Sequence, residues 1–269
     1  MKLIDTEIDF PRLDVAIEAM KDSLEAIKNI YRDGFKITIK SDNSPVTDAD
    51  LASDKILREK ILSRFPEDGY LSEEEKDDMS RLEKEYVWIV DPLDGTEDFV
   101  HKDGMFCVNL ALCQRHDLVL GLVGVPLTGE IFFAIKGKGS YYLSASNELT
   151  KLHVSDKKNK LKAVTSAYHT GDRENELYKN EYITQVLHIG SFLKACAIAS
   201  GQAEICLKLG PGTKEWDTAA PQLLVSEAGG VYLHPSLNQM IYNRVDVYNH
   251  EGYVMANDYT NLLNILRKH

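Results

Sequence analysis

The segment Trp88–Phe99, WIVDPLDGTEDF, constrains this chain more than any other. Val87, Trp88, Ile89 and Val90 form an apolar run too short for a helix and rich in β-formers, so residues 86–91 read as a buried strand. Asp91 stands at that strand's carboxyl end. Pro92 disfavours helical geometry in the residue before it and Gly95 frees the backbone after it, so Asp94 is expected to swing back beside Asp91 and expose the amides of Gly95 and Thr96. Two carboxylates about 4 Å apart repel by roughly 4 kcal/mol at an effective dielectric of ~20, and a bound cation removes that repulsion. The economical use is a divalent-metal site that also grips a phosphate. Asp, Pro and Gly equally suit an ordinary turn, so the choice rests on the rest of the chain.

A chain of 269 residues with 43% hydrophobic content buries a substantial core, as one large domain or two tightly packed halves. No stretch approaches the ~20 apolar residues that span a membrane, and the start, MKLIDTEIDF, lacks the basic-then-apolar pattern of a secretion signal, so the expected location is cytoplasmic. Cys107, Cys113, Cys196 and Cys206 lack CxxC pairing and lie in apolar surroundings, which marks them as buried, reduced thiols. With 42 acidic against 31 basic residues and no basic tract, a nucleic-acid partner is excluded. An anionic substrate needs local help from metals or helix amino termini.

Leu13, Ile17, Met20, Leu24, Ile27 and Tyr31 recur at three- and four-residue steps and predict an amphipathic helix over residues 11–31. A second helix is expected from Thr47 to Phe65, stopped by Pro66. Strands are expected near 106–114, 118–125 and 130–135. The polar Ser144–Asn147 and the lysine-rich 155–162 are the candidate boundary between an amino-terminal half, 1–150, and a carboxyl-terminal half, 151–269. Beyond it, strands near 163–166, 183–188 and 203–207 alternate with helices near 173–179, 191–199 and 218–228, which indicates layered α/β structure.

Three further segments carry acids. LSEEE (71–75) places Glu73 and Glu74 after an apparent strand end, though Asp77 and Asp78 also suit a solvated acidic loop. In PVTDAD (45–50), Thr47 and Asp50 have capping-box spacing. EWDTAAPQLLVSEAGG (215–230) reads as a helix from Asp217 to Gly229, with Asp217 also suited to a plain N-cap.

Taken together, the DPLDGT turn, the Ser-Glu-Glu before it, Val46–Asp50 and Trp216–Ala220 resemble the signature segments of the inositol monophosphatase superfamily of Mg²⁺-dependent, lithium-sensitive phosphatases. The match keeps the expected order from about residue 8 to the end. The resemblance implies an αβαβα sandwich with a metal pocket between its halves. It implies that Glu73, Asp91 and the Leu93 carbonyl hold one Mg²⁺, that Asp91, Asp94 and Asp217 hold a second, and that Glu73 also faces a third, looser ion. Asp50 and Thr96 would orient and deprotonate the attacking water, and the Gly95 and Thr96 amides would bind the phosphate.

Within the superfamily the chain is most similar to the 3'(2'),5'-bisphosphate nucleotidases, which act on adenosine 3',5'-bisphosphate. Gly190–Lys194, Leu209–Asp217 and Ser166–His169 carry that similarity, and it implies that His169, Ser191, Lys194 and Lys208 line the nucleotide side, with Lys194 or Lys208 as a cation remote from the metals. Glu97, Ala167, Lys208 and Pro221 depart from the branch's pattern, and Lys208 lacks the bidentate fork of the arginine common there. The lost positive charge supports a second reading, an inositol monophosphatase or a sugar phosphatase acting on fructose 1,6-bisphosphate. A third, a regulatory protein without turnover, runs against the presence of Asp50, Glu73, Asp91, Asp94, Thr96 and Asp217 together. The partner implied is a small phosphate ester; one sequence identifies no interface between copies.

Overall fold

The computed structural model describes residues 10–40, 45–166 and 168–267; Ala167 lies outside them. Helix α1 (Leu13–Asp33) leads through the hairpin β1 (Ile37–Ile39) and β2 (Pro45–Thr47) to α2 (Asp48–Arg64). Next come β3 (Gly69–Ser72), β4 (Tyr86–Asp94), α3 (Thr96–His101), β5 (Cys107–Gln114), β6 (Asp117–Val125), β7 (Glu130–Ile135), β8 (Gly139–Leu143) and β9 (Leu149–Lys151). These seven strands form one sheet in chain order, antiparallel except for the parallel pair β3 and β4. The chain continues with β10 (Leu161–Thr165), α4 (Asp172–Leu177), β11 (Ile183–His188), α5 (Leu193–Ala199), β12 (Ile205–Leu209), β13 (Thr213–Lys214), α6 (Glu215–Glu227), β14 (Val231–Leu233), β15 (Tyr248–Asn249), β16 (Gly252–Ala256) and α7 (Tyr259–Leu266). A second sheet runs β11-β10-β12-β16-β14, and β13 pairs separately with β15.

Alternation along the strands sorts side chains into three cores. Trp88, Val90, Leu110 and Leu112 join Ile17, Met20 and Leu57 of α1 and α2. Val87, Ile89, Ala111 and Cys113 face the other way and cluster with Ile198 of α5, Leu224 of α6, and Tyr232, Tyr253 and Met255 of the second sheet. On the far side of that sheet, Ile205, Val254 and Ala256 cluster with Leu177, Leu262 and Ile265 of α4 and α7. The layers are thus helices, seven-stranded sheet, helices, five-stranded sheet, helices, the expected αβαβα sandwich.

Two glycines of β6 let helices approach both faces. A Cβ on Gly121 would lie 3.0 Å from the Ala220 carbonyl oxygen of α6, and one on Gly124 would lie 2.4 Å from the Met20 sulfur of α1. Side chains there would push the layers apart.

Several expectations need correction. The strand expected over 86–91 does not end at Asp91 but runs on to Asp94, which still comes beside Asp91. Asp91 pairs with Asn109 and Asp94 with Cys107, so β4 carries one residue more than β5 between these pairs, a β-bulge. Residues three apart normally point to opposite faces; the extra residue restores both aspartates to one face, and Pro92 is tolerated there because a bulge leaves backbone donors unpaired. Ser144–Asn147 turns the unanticipated hairpin β8–β9, with Asn147 left-handed at φ 66°, whereas 155–160 links the two sheets and Leu161 and Lys162 already open β10. Helix α5 begins at Leu193, after Ser191 interrupts it at φ 48°. Helix α6 begins at Glu215, two residues before Asp217.

Candidate active site

Parity places Asp91 on the same face of β4 as Val87 and Ile89, the face covered by α6, and the bulge turns Asp94 to it as well. The first turn of α6 supplies Asp217. Each of Asp91, Asp94 and Asp217 offers an oxygen, and these atoms all lie within 4.8 Å of one another. Each carboxylate is aimed by a backbone amide: Leu93 N donates to Asp91 Oδ1 at 3.1 Å, Phe192 N to Asp94 Oδ2 at 2.6 Å, and Lys214 N to Asp217 Oδ2 at 2.5 Å. Asp217 is therefore the third helical residue of α6, closing back on the residue before the helix, and not the N-cap. Pro221, four residues on, has no N–H to offer the Asp217 carbonyl.

Burial raises the pKa of all three. For Asp91 the charges of Glu73, Asp94 and Asp217 add to burial, and for Asp217 those of Glu73 and Asp94 add. Asp94 is raised by burial and partly offset by Lys194. Three crowded, mutually repelling carboxylates, Asp91 buried and Asp94 and Asp217 half-buried, in a cavity also lined by Leu93 are the hard oxygen set that Mg²⁺ prefers, so the residues fit the ion. Glu73, just past β3, lines the same cavity but stands outside the triad, with its Oε1 3.2 Å from Lys40 Nζ. Lys40 also reaches Glu74 at 2.6 Å, and burial pushes the Glu74 carboxyl up to about 7 despite that ammonium. Sequence reasoning missed Lys40, since its contacts span more than thirty residues and no local pattern marks it.

Thr96 Oγ1 donates to Asp50 Oδ1 at 3.1 Å and lies 3.2 Å from the Leu93 carbonyl oxygen. Asp50 is buried behind Thr96, and its other oxygen accepts from the Thr47 amide at 2.8 Å and hydroxyl at 2.6 Å. Burial raises its pKa. Gly95 precedes α3 as its N-cap at φ 89°, and a Cβ there would press on Ser191 Cβ and the Met105 carbonyl oxygen, both at 3.2 Å. The turn therefore requires glycine.

These groups wall one end of a cavity of about 450 Å³, which Thr165, Phe192, Tyr253 and the Pro211–Thr213 turn complete. Every expected site residue except Asp50 lines it. His169 is at the exposed rim, with Nε2 3.6 Å from Glu97 Oε2. Lys194 is buried and donates to the carbonyls of Ile189 (3.3 Å) and Ser191, so it is not a remote cation; its charge acts on Asp94 and on Asp98. Lys208 lines the cavity half-buried. Sequence reasoning also missed Asp98, a buried wall residue that burial and its neighbour Asp103 push up to about 7.

A layered α/β fold that closes a cavity over clustered hard oxygen donors, with lysines also on its walls, defines a protein built to hold divalent cations against an anionic ligand. Comparison with known proteins agrees: residues 11–268 match the model of the inositol monophosphatase family, and the chain belongs to that family. It is 30% identical over 249 residues to the 3'(2'),5'-bisphosphate nucleotidase CysQ of Aggregatibacter actinomycetemcomitans, covering 91% of this chain and 92% of that protein. It is 33% identical to inositol monophosphatase 2 of Solanum lycopersicum over 83% of this chain and 87% of that one. The crystal structure of CysQ from Bacteroides thetaiotaomicron superposes with a TM-score of 0.75 at 31% identity, covering 90% of this chain and 96% of that one.

Proposed function

We propose that the protein is a Mg²⁺-dependent phosphomonoesterase that hydrolyses 3'(2'),5'-bisphosphate nucleotides, adenosine 3',5'-bisphosphate foremost, to the monophosphate and inorganic phosphate. The observation that carries the reading is the convergence of Asp91, Asp94 and Asp217 within 4.8 Å on the wall of a cavity large enough for a nucleotide. Its relatives named 3'(2'),5'-bisphosphate nucleotidase, matched over nine-tenths of their length, support the substrate class.

Two or three Mg²⁺ ions, held by Glu73, Asp91, the Leu93 carbonyl, Asp94 and Asp217, would supply charge neutralisation at the phosphoryl and leaving oxygens. The chain's own groups do the rest. Thr96 Oγ1 takes a proton from the attacking water while its hydroxyl proton passes to Asp50 Oδ1 along the 3.1 Å hydrogen bond. Asp50 is a competent acceptor because burial raises its pKa. The amides of Gly95 and Thr96 hold the phosphate, and Ser191, Lys194, His169 and Lys208 face the remainder of the substrate. Four free, buried cysteines suit a reducing compartment, and we place the reaction in the cytoplasm.

The relative named inositol monophosphatase 2 favours a second reading, hydrolysis of inositol or sugar phosphates. Steady-state assays in Mg²⁺ with adenosine 3',5'-bisphosphate, inositol 1-phosphate and fructose 1,6-bisphosphate separate the two. The nucleotide is expected to lead in kcat/KM; a tenfold preference for either other compound overturns the first reading.

A further inference from the structure

The three carboxylates of the triad are not held alike. Asp91 and Asp217 each accept one backbone amide, from Leu93 and Lys214. Asp94 accepts more, and all of it on one oxygen: Phe192 N donates to Oδ2 at 2.6 Å, the Cys107 thiol at 3.4 Å and the Asn109 side-chain amide, more weakly, at 3.5 Å. Among the described residues no group donates to Asp94 Oδ1, which is left for a cation. The β-bulge brings both side chains there. Between their paired residues β4 runs from Asp91 to Asp94 while β5 runs only from Asn109 to Cys107, so each aspartate has one of the two across the ladder. Cys107 packs in the middle core and Val108 in the core under α1 and α2, as a period of two requires, so Asn109 shares the face of Cys107; both are fully buried.

The thiol has one proton and two acceptors in reach, Asp94 Oδ2 at 3.4 Å and Asn109 Oδ1 at 3.8 Å. The nearer, charged acceptor takes it, since a hydrogen bond to an ionised group is roughly twice as strong as one between neutral groups. Burial pushes the thiol's own pKa up, so the group remains S–H. Ser191 Oγ donates in turn to Cys107 Sγ at 3.4 Å, which fixes the thiol from the cavity side. Every donor on Oδ2 is neutral. Such donors hold an ionised carboxylate in one orientation without taking the place of a cation.

We propose that Cys107 and Asn109 are positioning residues for the metal end, which occupy Asp94 Oδ2 and so present Asp94 to the cation through Oδ1 alone. The proposal rests on the reading of the triad as a Mg²⁺ site and is independent of which phosphate ester is hydrolysed. Side chains that hydrogen-bond a metal-ligating group set its orientation, and their removal typically lowers metal affinity or activity by about 10- to 100-fold. Cys107, the stronger of the two contacts, should carry most of the effect.

The test is calorimetric titration of the metal-free protein with Mg²⁺, comparing wild type with Cys107→Ala, Cys107→Val, Cys107→Ser and Asn109→Leu, with thermal unfolding in chelator to establish that each folds. Alanine and serine are nearly equal in size and differ in the donor, while alanine and valine bracket the thiol in size and both lack the donor. Cys107→Ala and Cys107→Val are expected to weaken Mg²⁺ binding by about tenfold or more, Cys107→Ser to stay within about threefold of wild type, and Asn109→Leu to fall between. The Mg²⁺ concentration for half-maximal turnover should rise in parallel, with a far smaller change in KM for the ester at saturating Mg²⁺. Should Cys107→Ala not fold, Cys107→Val against Cys107→Ser decides in the same way. Folded variants without the donor that bind Mg²⁺ as tightly as wild type, or a serine variant as weak as they are, overturn the positioning role and leave the metal site standing. Wild type that takes up no Mg²⁺ overturns both.

Discussion

The Thr96 hydroxyl donates to the Asp50 carboxylate at 3.1 Å, joining the turn after β4 to the first turn of α2 across 46 residues. Neither residue carries out the proposed proton transfer alone. Thr96→Ala and Asp50→Asn are therefore each expected to lower kcat by about 10²- to 10⁴-fold with a much smaller change in KM. Steady-state kinetics checks this, and a variant that keeps a third of wild-type turnover contradicts the relay. Asp50 also closes the cap of α2, so Asp50→Asn should cost up to about 1 kcal/mol in unfolding, well short of loss of the fold.

The acidic triad makes stability depend on metal and pH together. Burial raises Asp91, Asp94 and Asp217 above the ordinary carboxylate range, so the fold favours their protonated forms. Stability from a raised group is complete below its unfolded pKa and is lost as pH rises through the folded one. In chelator the melting temperature should therefore fall as pH rises from about 5 to 8. Saturating Mg²⁺ should remove most of that fall, and at 100 times Kd it adds about 2.7 kcal/mol, several degrees for a chain of this size. A melting temperature indifferent to Mg²⁺ at high pH would contradict metal binding by the triad.

Asp91→Asn separates function from folding. Removing one of three crowded charges should leave the metal-free protein at least as stable as wild type at pH 8, abolish most of the Mg²⁺ stabilisation and lower turnover by at least 10³-fold. Differential scanning calorimetry with and without Mg²⁺, beside an activity assay, reads all three. Retention of most activity would count against the two-ion assignment.

Asp98, on the same cavity wall and raised in part by the charge of Asp94, offers a second pH test. Its Oδ1 is buried without a hydrogen-bond partner, and burial, followed by the charge of and hydrogen bond with Asp103, raises its pKa from 3.8 to about 7. Its contribution is complete below about pH 4 and lost as pH rises through about 7, the sense expected for a raised carboxyl. Asp98→Asn stays neutral throughout, so its melting temperature should exceed that of wild type at pH 8.5 by more than at pH 5.5. An equal difference at both pH values would show that Asp98 does not titrate there.

Gly121 links a strand far from the chemistry to the position of Asp217. Its missing side chain lets α6 lie on β6, 3.0 Å separating the notional Cβ from the Ala220 carbonyl oxygen. Gly121→Val should push α6 outward, destabilise the fold by about 1 to 3 kcal/mol as overpacking does, and lower Mg²⁺ affinity in calorimetric titration. Wild-type affinity in a destabilised variant would separate packing from site geometry.

Much of this architecture is legible in the chain. The three-and-four-residue spacing of Leu13 to Ile27 specifies α1, and apolar runs specify β4 to β7, because these patterns report which face is buried. Strands β13 to β16 and helix α7 went unread, since each depends on distant partners more than on its own pattern. Lys40 and Asp98 were missed for the same reason: an ion pair or a buried wall position has no local periodicity.

The sequence by itself determined which residue types the site contains: Asp91, Asp94, Asp217, Glu73, Asp50 and Thr96 each stand in a segment whose local propensities specify a strand end, a turn or a helix start. Only the tertiary structure decided how they meet. A single extra residue in β4 turns Asp94 to the face of Asp91, side-chain-free backbone at Gly121 brings α6 close enough to add Asp217, and two carbonyls hold Lys194. Local sequence fixes backbone preference over a few residues, whereas convergence of charges depends on which layers pack together and how closely.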